Sequence, residues 1–141
     1  MKIEQVLIPE IPDMWPDIIE NLEPAVIRSK GEVTKESLLR RLMLGETTLF
    51  LCKNEAGLVT VMFTLEVLVF ESGLRTLAIP LVGGSGFLKM LVECDEFLRS
   101  TAKSMNCSYI RGFSVRGGWL SKIGKFGWEA GHEIIRCKVG E

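Results

Sequence analysis

The sequence predicts an α/β fold of the α+β type, in which helices flank a mostly antiparallel central sheet. Residues 48–82 contain three β-rich segments separated by short turns, the pattern of an antiparallel meander. Amphipathic helical segments precede this region, and another follows it after a cluster of small residues. The predicted order is β-α-α-β-β-β-α-β-α-β, in a single domain over residues 1–141.

The N-terminal part predicts one strand and two helices. Residues 2–8 alternate loosely and indicate the first strand. Apolar residues recur at helical spacing over 18–27, and Pro24 predicts a kink or a split in that helix. Thr34 is a good N-cap for the second helix, which Gly45 is expected to end.

The meander is predicted to consist of strands over 48–53, 58–70 and 75–82. Pro80 interrupts the third strand, and a proline in a strand belongs at a bulge or at the edge of a sheet. A bulge would splay the sheet there and open a wedge toward the strand that begins at Cys107. An edge strand without a wedge is the alternative.

A glycine-rich turn follows the third strand and opens a helix. Backbone N–H groups at such a turn form an anion site, and phosphate is its usual ligand. The predicted phosphate-binding segment consists of Val82, Gly83, Gly84, Ser85, Gly86, Phe87 and Leu88. We expect the amides of 84–88 to face an open groove; a tight connection without a ligand is the alternative. The helix then carries a predicted core stripe of Phe87, Leu91, Cys94, Leu98 and Met105.

The C-terminal part predicts two further strands around a short helix. Asn106 is expected to end the long helix, and residues 107–114 read as a strand. A short helix follows from Gly117 to Phe126, and residues 128–139 form the predicted final strand.

The composition argues against several classes of protein. A net charge of -1 favours neither nucleic acid nor an anionic membrane as a partner. The four cysteines contain no C-x-x-C pair and His132 is the only histidine, so no metal site is expected. Unpaired cysteines in apolar segments suit a reducing compartment. With Glu4 where a signal peptide would be apolar, and no run of membrane-spanning length, we expect a cytoplasmic protein.

The order of elements, with its wedge, glycine turn and long helix, resembles the GNAT superfamily of acyl-CoA-dependent N-acyltransferases over nearly the whole chain. In that family the turn follows the pattern Arg/Gln-x-x-Gly-x-Gly/Ala, and its amides hold the coenzyme A pyrophosphate. Gly84 and Gly86 match the two glycine positions, whereas Leu81 replaces the Arg or Gln. The resemblance implies acetyl-CoA, or another acyl-CoA, as cofactor.

A second family signature, Asn-x-x-Ala-x-x-x-Tyr-x-x-x-Gly-Phe, is partly kept. Its Gly-aromatic pair is present as Gly127-Trp128. Counting back from this pair puts Ile123, Trp119 and Arg116 at the tyrosine, alanine and asparagine positions. The tyrosine is the family's usual general acid, and isoleucine has no proton to give.

Three side chains are candidates for the site. In the GNAT picture Glu66 offers a carboxylate as general base, whereas a solvated Glu on an alternating strand is the alternative. Arg116 follows a predicted strand end, where its guanidinium could bind phosphate or carboxylate; a solvated loop residue is the alternative. Trp119 reads equally as a pocket wall and as a core residue.

The resemblance implies an acyl-CoA-binding protein that transfers an acyl group to an amine on a small molecule or a protein. The alternative is a catalytically silent GNAT-like binding or structural protein. The segment from Arg116 to Trp119, followed by Gly127-Trp128, is also similar to small GNAT-like proteins of tailed phages and prophages. A homodimer is left open.

Overall fold

Helices cover both faces of a six-stranded sheet in the part of the chain that the computed structural model describes. That part comprises residues 1–85, 87–112, 124–131 and 134–140, with Phe87 described by its backbone alone. The strands are β1 (Lys2–Val6), β2 (Thr48–Lys53), β3 (Val59–Val69), β4 (Arg75–Ile79), β5 (Val82–Gly84) and β6 (Tyr109–Gly112). The helices are α1 (Ile11–Arg28), α2 (Lys35–Met43), α3 (Phe87–Glu93) and α4 (Asp95–Ser104), with 3₁₀ turns at Ile8–Glu10 and Gly124–Phe126.

The sheet is mixed and mostly antiparallel, as predicted. Its strand order is β1-β2-β3-β4-β6, and β5 pairs with β3 beside that path. Every pairing is antiparallel except that of β4 with β6, which is parallel. The predicted meander of three strands is therefore confirmed as β2, β3 and β4.

Two hydrophobic cores lie on opposite faces of the sheet. Side chains alternate along β3, so Met62 packs with α1 and α2 while Val61 and Phe63 pack with α3 and α4. By the same alternation Thr64 and Glu66 lie on the α1/α2 face. The position of Glu66 thus follows from the pleat of β3.

A bulge of one residue separates β4 from β5. β4 pairs with β3 at Ala78↔Glu66. β5 pairs with β3 at Val82↔Phe63, so the β4–β5 strand has one residue more than the facing stretch of β3. The extra residue lies at Pro80–Leu81, which confirms the bulge predicted from the proline.

The bulge reverses which face of the sheet receives the following side chains. Pro80 and Leu81 both line the α1/α2 side, and Leu81 is buried in that core. The Leu81 N–H donates to Oγ1 of Thr64 at 3.2 Å, and the Thr64 N–H donates to the Leu81 carbonyl at 3.0 Å. A side-chain hydroxyl therefore replaces the carbonyl that a regular ladder would supply.

The predicted wedge lies partly outside the described residues. The pairing of β4 with β6 runs as far as Ile79↔Gly112. Residues 113–123 lie outside the described residues, so the opening between β5 and the strand after Cys107 stays a prediction.

α1 is one helix despite two internal prolines. It contains Pro16 and Pro24, each of which lacks the N–H that an internal helical residue donates. The predicted split is wrong. The buried stripe, with Ile11, Ile18 and Leu22 almost fully covered, outweighs the lost hydrogen bonds.

The start and end of α2 agree with the prediction. Oγ1 of Thr34 accepts the Ser37 N–H at 3.0 Å, and the Ser37 hydroxyl oxygen accepts the Thr34 N–H at 2.9 Å. This reciprocal capping box fixes the first turn. Gly45 follows the helix with φ +73°, a left-handed conformation that glycine adopts without strain.

The predicted long helix is divided into α3 and α4 at Cys94, whose φ and ψ are -105° and 17°. Hydrogen bonds still cross this point, from Cys94 to Met90 and from Leu98 to Cys94. Leu91, Cys94 and Leu98 are buried as predicted, whereas Met105 is exposed. Met105 lies beyond the end of α4, so the helical stripe no longer directs it to the core.

The C-terminal part departs most from the prediction. Asn106 ends the helical region in a left-handed conformation, as expected, and β6 follows. Within 128–131 and 134–140 no residue is in a strand, so the predicted final strand is wrong for those residues. Ile135 and Val139 are almost fully exposed there, and none of the described strands pairs with this segment.

Replacing Thr64 by valine should destabilise the protein by about 1–3 kcal/mol, because it leaves the buried Leu81 N–H without its acceptor. Urea unfolding measures the change. Thr76→Val is the matched control: Thr76 is equally buried on β4, and its hydroxyl has no hydrogen bond to another described residue. An equal loss in both variants would contradict the assigned role of Thr64.

Candidate functional site

A cavity of about 200 Å³ lies between α2 and the bulge. Its lining residues are Glu32, Val33, Ser37, Leu38, Arg40, Arg41, Thr47, Thr64, Glu66, Pro80 and Leu81. Glu32 and Arg40 are exposed and mark its mouth, whereas Thr64 and Leu81 are buried and mark its floor. The bulge turns both Pro80 and Leu81 toward α2, so both residues line the cavity.

An ion pair between α2 and β3 contributes to the floor of the cavity. The Arg41 guanidinium donates two hydrogen bonds to Glu66, at 3.1 Å to Oε1 and 2.9 Å to Oε2. The Glu66 side chain is only 12% exposed and that of Arg41 37%. The solvated alternative for Glu66 is therefore wrong.

Arg41 is shared by two carboxylates. Its Nε lies 3.5 Å from the more exposed Glu46, while its two terminal nitrogens face Glu66. The hydrogen bonds to Glu66 are the largest cause that raises the pKa of the Arg41 guanidinium. Arg41 therefore remains a fixed cation that holds the Glu66 carboxylate in place.

Gly83 is required by the packing of α1. A Cβ at this position would lie 2.0 Å from the Asn21 carbonyl oxygen and 3.3 Å from Leu22 Cδ2. No side chain fits in that space, so the backbone of α1 touches β5 directly. Packing alone therefore explains why position 83 is glycine, without any ligand.

Gly84 and Ser85 also have structural partners. Gly84 has φ +94°, and a Cβ there would lie 2.4 Å from the Thr60 carbonyl oxygen. The Ser85 N–H donates to that same oxygen at 3.0 Å. The expectation that the amides of 84–88 all face an open groove is therefore wrong for Ser85, whose amide is already used.

The opposite edge of β5 carries backbone groups that do not face β3. Residue pairs in an antiparallel ladder alternate between hydrogen-bonded and non-hydrogen-bonded pairs. Because the Ser85 N–H donates to the Thr60 carbonyl, the next pair, Val61↔Gly84, is a non-hydrogen-bonded pair. The Gly84 N–H accordingly points away from β3. The Val82 carbonyl points the same way and accepts from Arg28 Nη2 at 3.4 Å. Among the described residues no strand pairs with this edge.

The cysteines do not supply a reactive thiol to this cavity. Burial raises the pKa of the Cys52 thiol to about 12 and also raises that of Cys94. Cys107 is partly buried against the α3/α4 core, whereas Cys137 is exposed. A thiol with a raised pKa is a poor nucleophile at neutral pH.

The described residues contain neither a membrane-spanning helix nor a metal-binding cluster. No helix there has the length and apolar character needed to cross a membrane. No cluster of three or more His, Cys, Asp or Glu side chains there is arranged to hold a metal ion.

The structure brings only part of the predicted site together. Glu66 lines the cavity, and the segment from Val82 to Ser85 follows the bulge that forms its floor. Leu88 packs, partly buried, against the α3/α4 core. Gly86, Arg116, Trp119, Ile123 and His132 lie outside the described residues.

Arg40 and Arg41 were missed by sequence reasoning. Basic residues in the last turn of a helix are common because they complement the helix dipole, so their presence on α2 gives no functional signal. The partner of Arg41 lies on a strand 25 residues away. Only the tertiary fold shows that they meet.

Comparisons with known proteins identify the fold. No family model and no curated protein matches the chain. A solved probable acetyltransferase superposes with a TM-score of 0.64 at 13% identity, over 100% of this chain and 98% of that one. A glucosamine-6-phosphate N-acetyltransferase from Arabidopsis thaliana gives 0.59 at 17% identity, over 99% and 98%. A ribosomal-protein-alanine N-acetyltransferase from Brucella melitensis biovar Abortus 2308 gives 0.59 at 13%, over 97% and 100%.

These likenesses show that the chain has the GNAT acetyltransferase fold along its whole length. The resemblance predicted from the sequence is thereby confirmed for the fold. The similarity to phage proteins stays a prediction.

Gly83→Ala should destabilise the protein by about 1–3 kcal/mol, because the new methyl group forces α1 away from β5. Gly112→Ala is the matched control on β6, where an added Cβ meets nothing within 4 Å. Denaturant unfolding of both variants compares them. Equal stability of the two variants would show that α1 moves away from β5 without a loss in the free energy of unfolding.

Removing either partner of the Arg41–Glu66 pair should cost about 1–3 kcal/mol, because a mostly buried charge loses its hydrogen bonds. The loss stays below that of a fully buried pair, since Arg41 is partly solvated. A double-mutant cycle with Arg41→Met and Glu66→Gln measures the coupling. Strictly additive losses would show that the two side chains do not stabilise each other.

Proposed function

We propose that this protein binds acetyl-CoA, or another acyl-CoA, and transfers the acyl group to an amine. The observation that carries the proposal is the bulge at Pro80–Leu81. It lines a cavity that contains Glu66 on one face of the sheet, and it directly precedes β5, whose outer edge has an outward-pointing amide. In this proposal the cavity receives the amine and the edge of β5 receives the acyl-CoA.

In this proposal the acyl-CoA lies beside β5. The Gly84 N–H would donate to it, as a strand edge donates to an added strand. The pyrophosphate would lie at the turn from Val82 to Leu88, with Gly86 allowing close approach. Arg116 and Trp119 would complete this part of the site. Since the Ser85 amide is already used, fewer amides are left for the phosphates than the family pattern implies.

Glu66 is the proposed base. The amine nitrogen attacks the thioester carbon, the carbon–sulfur bond breaks, and the sulfur leaves as thiolate. The proton from the amine passes to Glu66, directly or through water. Each carboxylate oxygen has two lone pairs, so the two bonds from Arg41 leave Glu66 able to accept another.

The leaving thiolate needs no side-chain acid in this scheme. Ile123 stands at the position of the family's tyrosine. A thiolate is stable enough to leave and take its proton from water, and positioning of the two reactants supplies much of the rate. We place this chemistry in the cytoplasm, because all four cysteines have free thiols.

A catalytically silent binding or structural protein is the second candidate. Packing alone explains Gly83 and Gly84, and the Ser85 amide is occupied by Thr60. These three residues of the turn are therefore accounted for without any phosphate. A chain that kept this fold for binding another molecule would show the same glycines.

Calorimetric titration with acetyl-CoA, followed by an assay of thiol release with a panel of amines, tests the proposed activity. Acetyl-CoA at about 100 times its dissociation constant should stabilise the protein by about 2.7 kcal/mol. Glu66→Gln should lower kcat by about 10²-fold or more and leave the affinity for acetyl-CoA unchanged. Glu71→Gln, at an exposed turn, is the matched control and should keep full activity.

The outcomes separate the two candidates. Absence of any binding heat with acetyl-CoA and with longer acyl-CoAs would defeat the acyltransferase and leave the silent protein. Binding with full turnover in Glu66→Gln would remove Glu66 as the base.

A further inference from the structure

The mouth and the floor of the cavity carry different chemistry. Four ionisable side chains line it, namely Glu32, Arg40, Arg41 and Glu66, and their formal charges cancel. Arg41 is already occupied by Glu66 and Glu46. The charge of Arg41 is therefore neutralised by carboxylates of the protein and is not available to a ligand.

Arg40 is the uncompensated cation of the cavity. It is exposed on α2, and among the described residues nothing accepts a hydrogen bond from its side chain or forms an ion pair with it. The other charge at the mouth, Glu32, lies 3.8 Å from Arg136, and both of those side chains are largely exposed. A guanidinium with its donors unused suits a planar anion that accepts two parallel hydrogen bonds.

The floor, by contrast, presents a carboxylate. Glu66 lines it next to Pro80, which has no N–H, and Leu81, whose N–H is bound to Thr64. These backbone positions therefore offer no donor to an anion, whereas the remaining lone pairs of Glu66 attract an ammonium group. An anion is favoured at the mouth and an amine at the floor.

The volume limits the size of the ligand. About 200 Å³ equals the space of roughly six or seven water molecules. A small molecule fills it, and a larger one could insert only an end.

We propose that the cavity binds a small amine that also carries a carboxylate, with Arg40 holding the carboxylate at the mouth and the amine directed to Glu66. This inference rests on the proposed function, because it names the acceptor of the acyl group. Arg40 is then the residue that determines acceptor specificity.

Binding can be measured without any acyl-CoA, which separates this inference from the proposed activity. β-Alanine and its amide differ only in the charge of the carboxyl end. Titration of each into the protein, followed in ¹H–¹⁵N spectra that include the arginine Nε–Hε signals, gives the two dissociation constants. β-Alanine should bind at least tenfold more tightly than β-alaninamide and should shift the Arg40 signal.

Arg40→Gln should abolish this preference, and Arg40→Lys should restore only part of it, because an ammonium lacks the guanidinium fork. Lys103→Gln removes the same charge from an exposed position on α4 outside the cavity lining and should change neither constant by more than about twofold. Phosphoethanolamine is a third probe that distinguishes a carboxylate site from a phosphate site.

Equal affinity for β-alanine and its amide, or a preference that survives in Arg40→Gln, would overturn the inference. Tighter binding of phosphoethanolamine than of β-alanine would also overturn it, by replacing carboxylate with phosphate. If acetyl-CoA binds and amines are acylated while Arg40→Gln leaves the KM of β-alanine unchanged, the proposed activity stands and this inference falls. If acetyl-CoA does not bind but the preference for β-alanine depends on Arg40, the binding site for a carboxylated amine stands, whereas its role as the acceptor site falls with the proposed activity.

Discussion

The extra residue in the strand formed by β4 and β5 is the constraint on which the rest of the site depends. It sends Leu81 to the α1/α2 core, and it leaves Pro80 beside the cavity rather than within a ladder. Thr64 stabilises the bulge, because its hydroxyl accepts the Leu81 N–H that would otherwise be buried without a hydrogen bond. Without the bulge, alternation would direct Leu81 toward α3 and α4, and it would no longer line the cavity beside Glu66.

The cavity is a stronger candidate for the functional site than the glycine turn. A glycine-rich turn before a helix suggests phosphate binding. At Gly83, however, contact with α1 leaves no room for a side chain, and at Gly84 contact with Thr60 leaves none. The charged groups of the cavity are not explained by packing alone. Its floor holds a paired carboxylate, and its mouth holds an arginine whose side chain has no partner among the described residues. Burial of the Glu66 carboxylate carries a desolvation cost that the pair with Arg41 must offset, which is why this pair is a stronger indicator of function than the glycines.

Local signals in the sequence were sufficient for much of the fold. Thr34 predicted the start of α2 because a cap depends on neighbours three residues away, and Pro80 predicted the bulge because a proline cannot donate to a ladder. The interruption at Cys94 has no such signal, since hydrogen bonds continue across it. The Arg41–Glu66 pair and the isolation of Arg40 arise only when α2 packs on β3. The carboxylate was therefore predicted, whereas its partner and the charge at the mouth were not.

The contact between Gly83 and Asn21 has a mechanical consequence. With no side chain between them, the backbones of β5 and α1 are in direct contact, so α1 cannot move closer to β5 without overlap of atoms. The middle of α1 therefore packs directly on the strand beside whose outer edge we propose that an acyl-CoA lies. Occupation of that edge would slow hydrogen–deuterium exchange in the second half of α1, although no residue of that half lines the cavity.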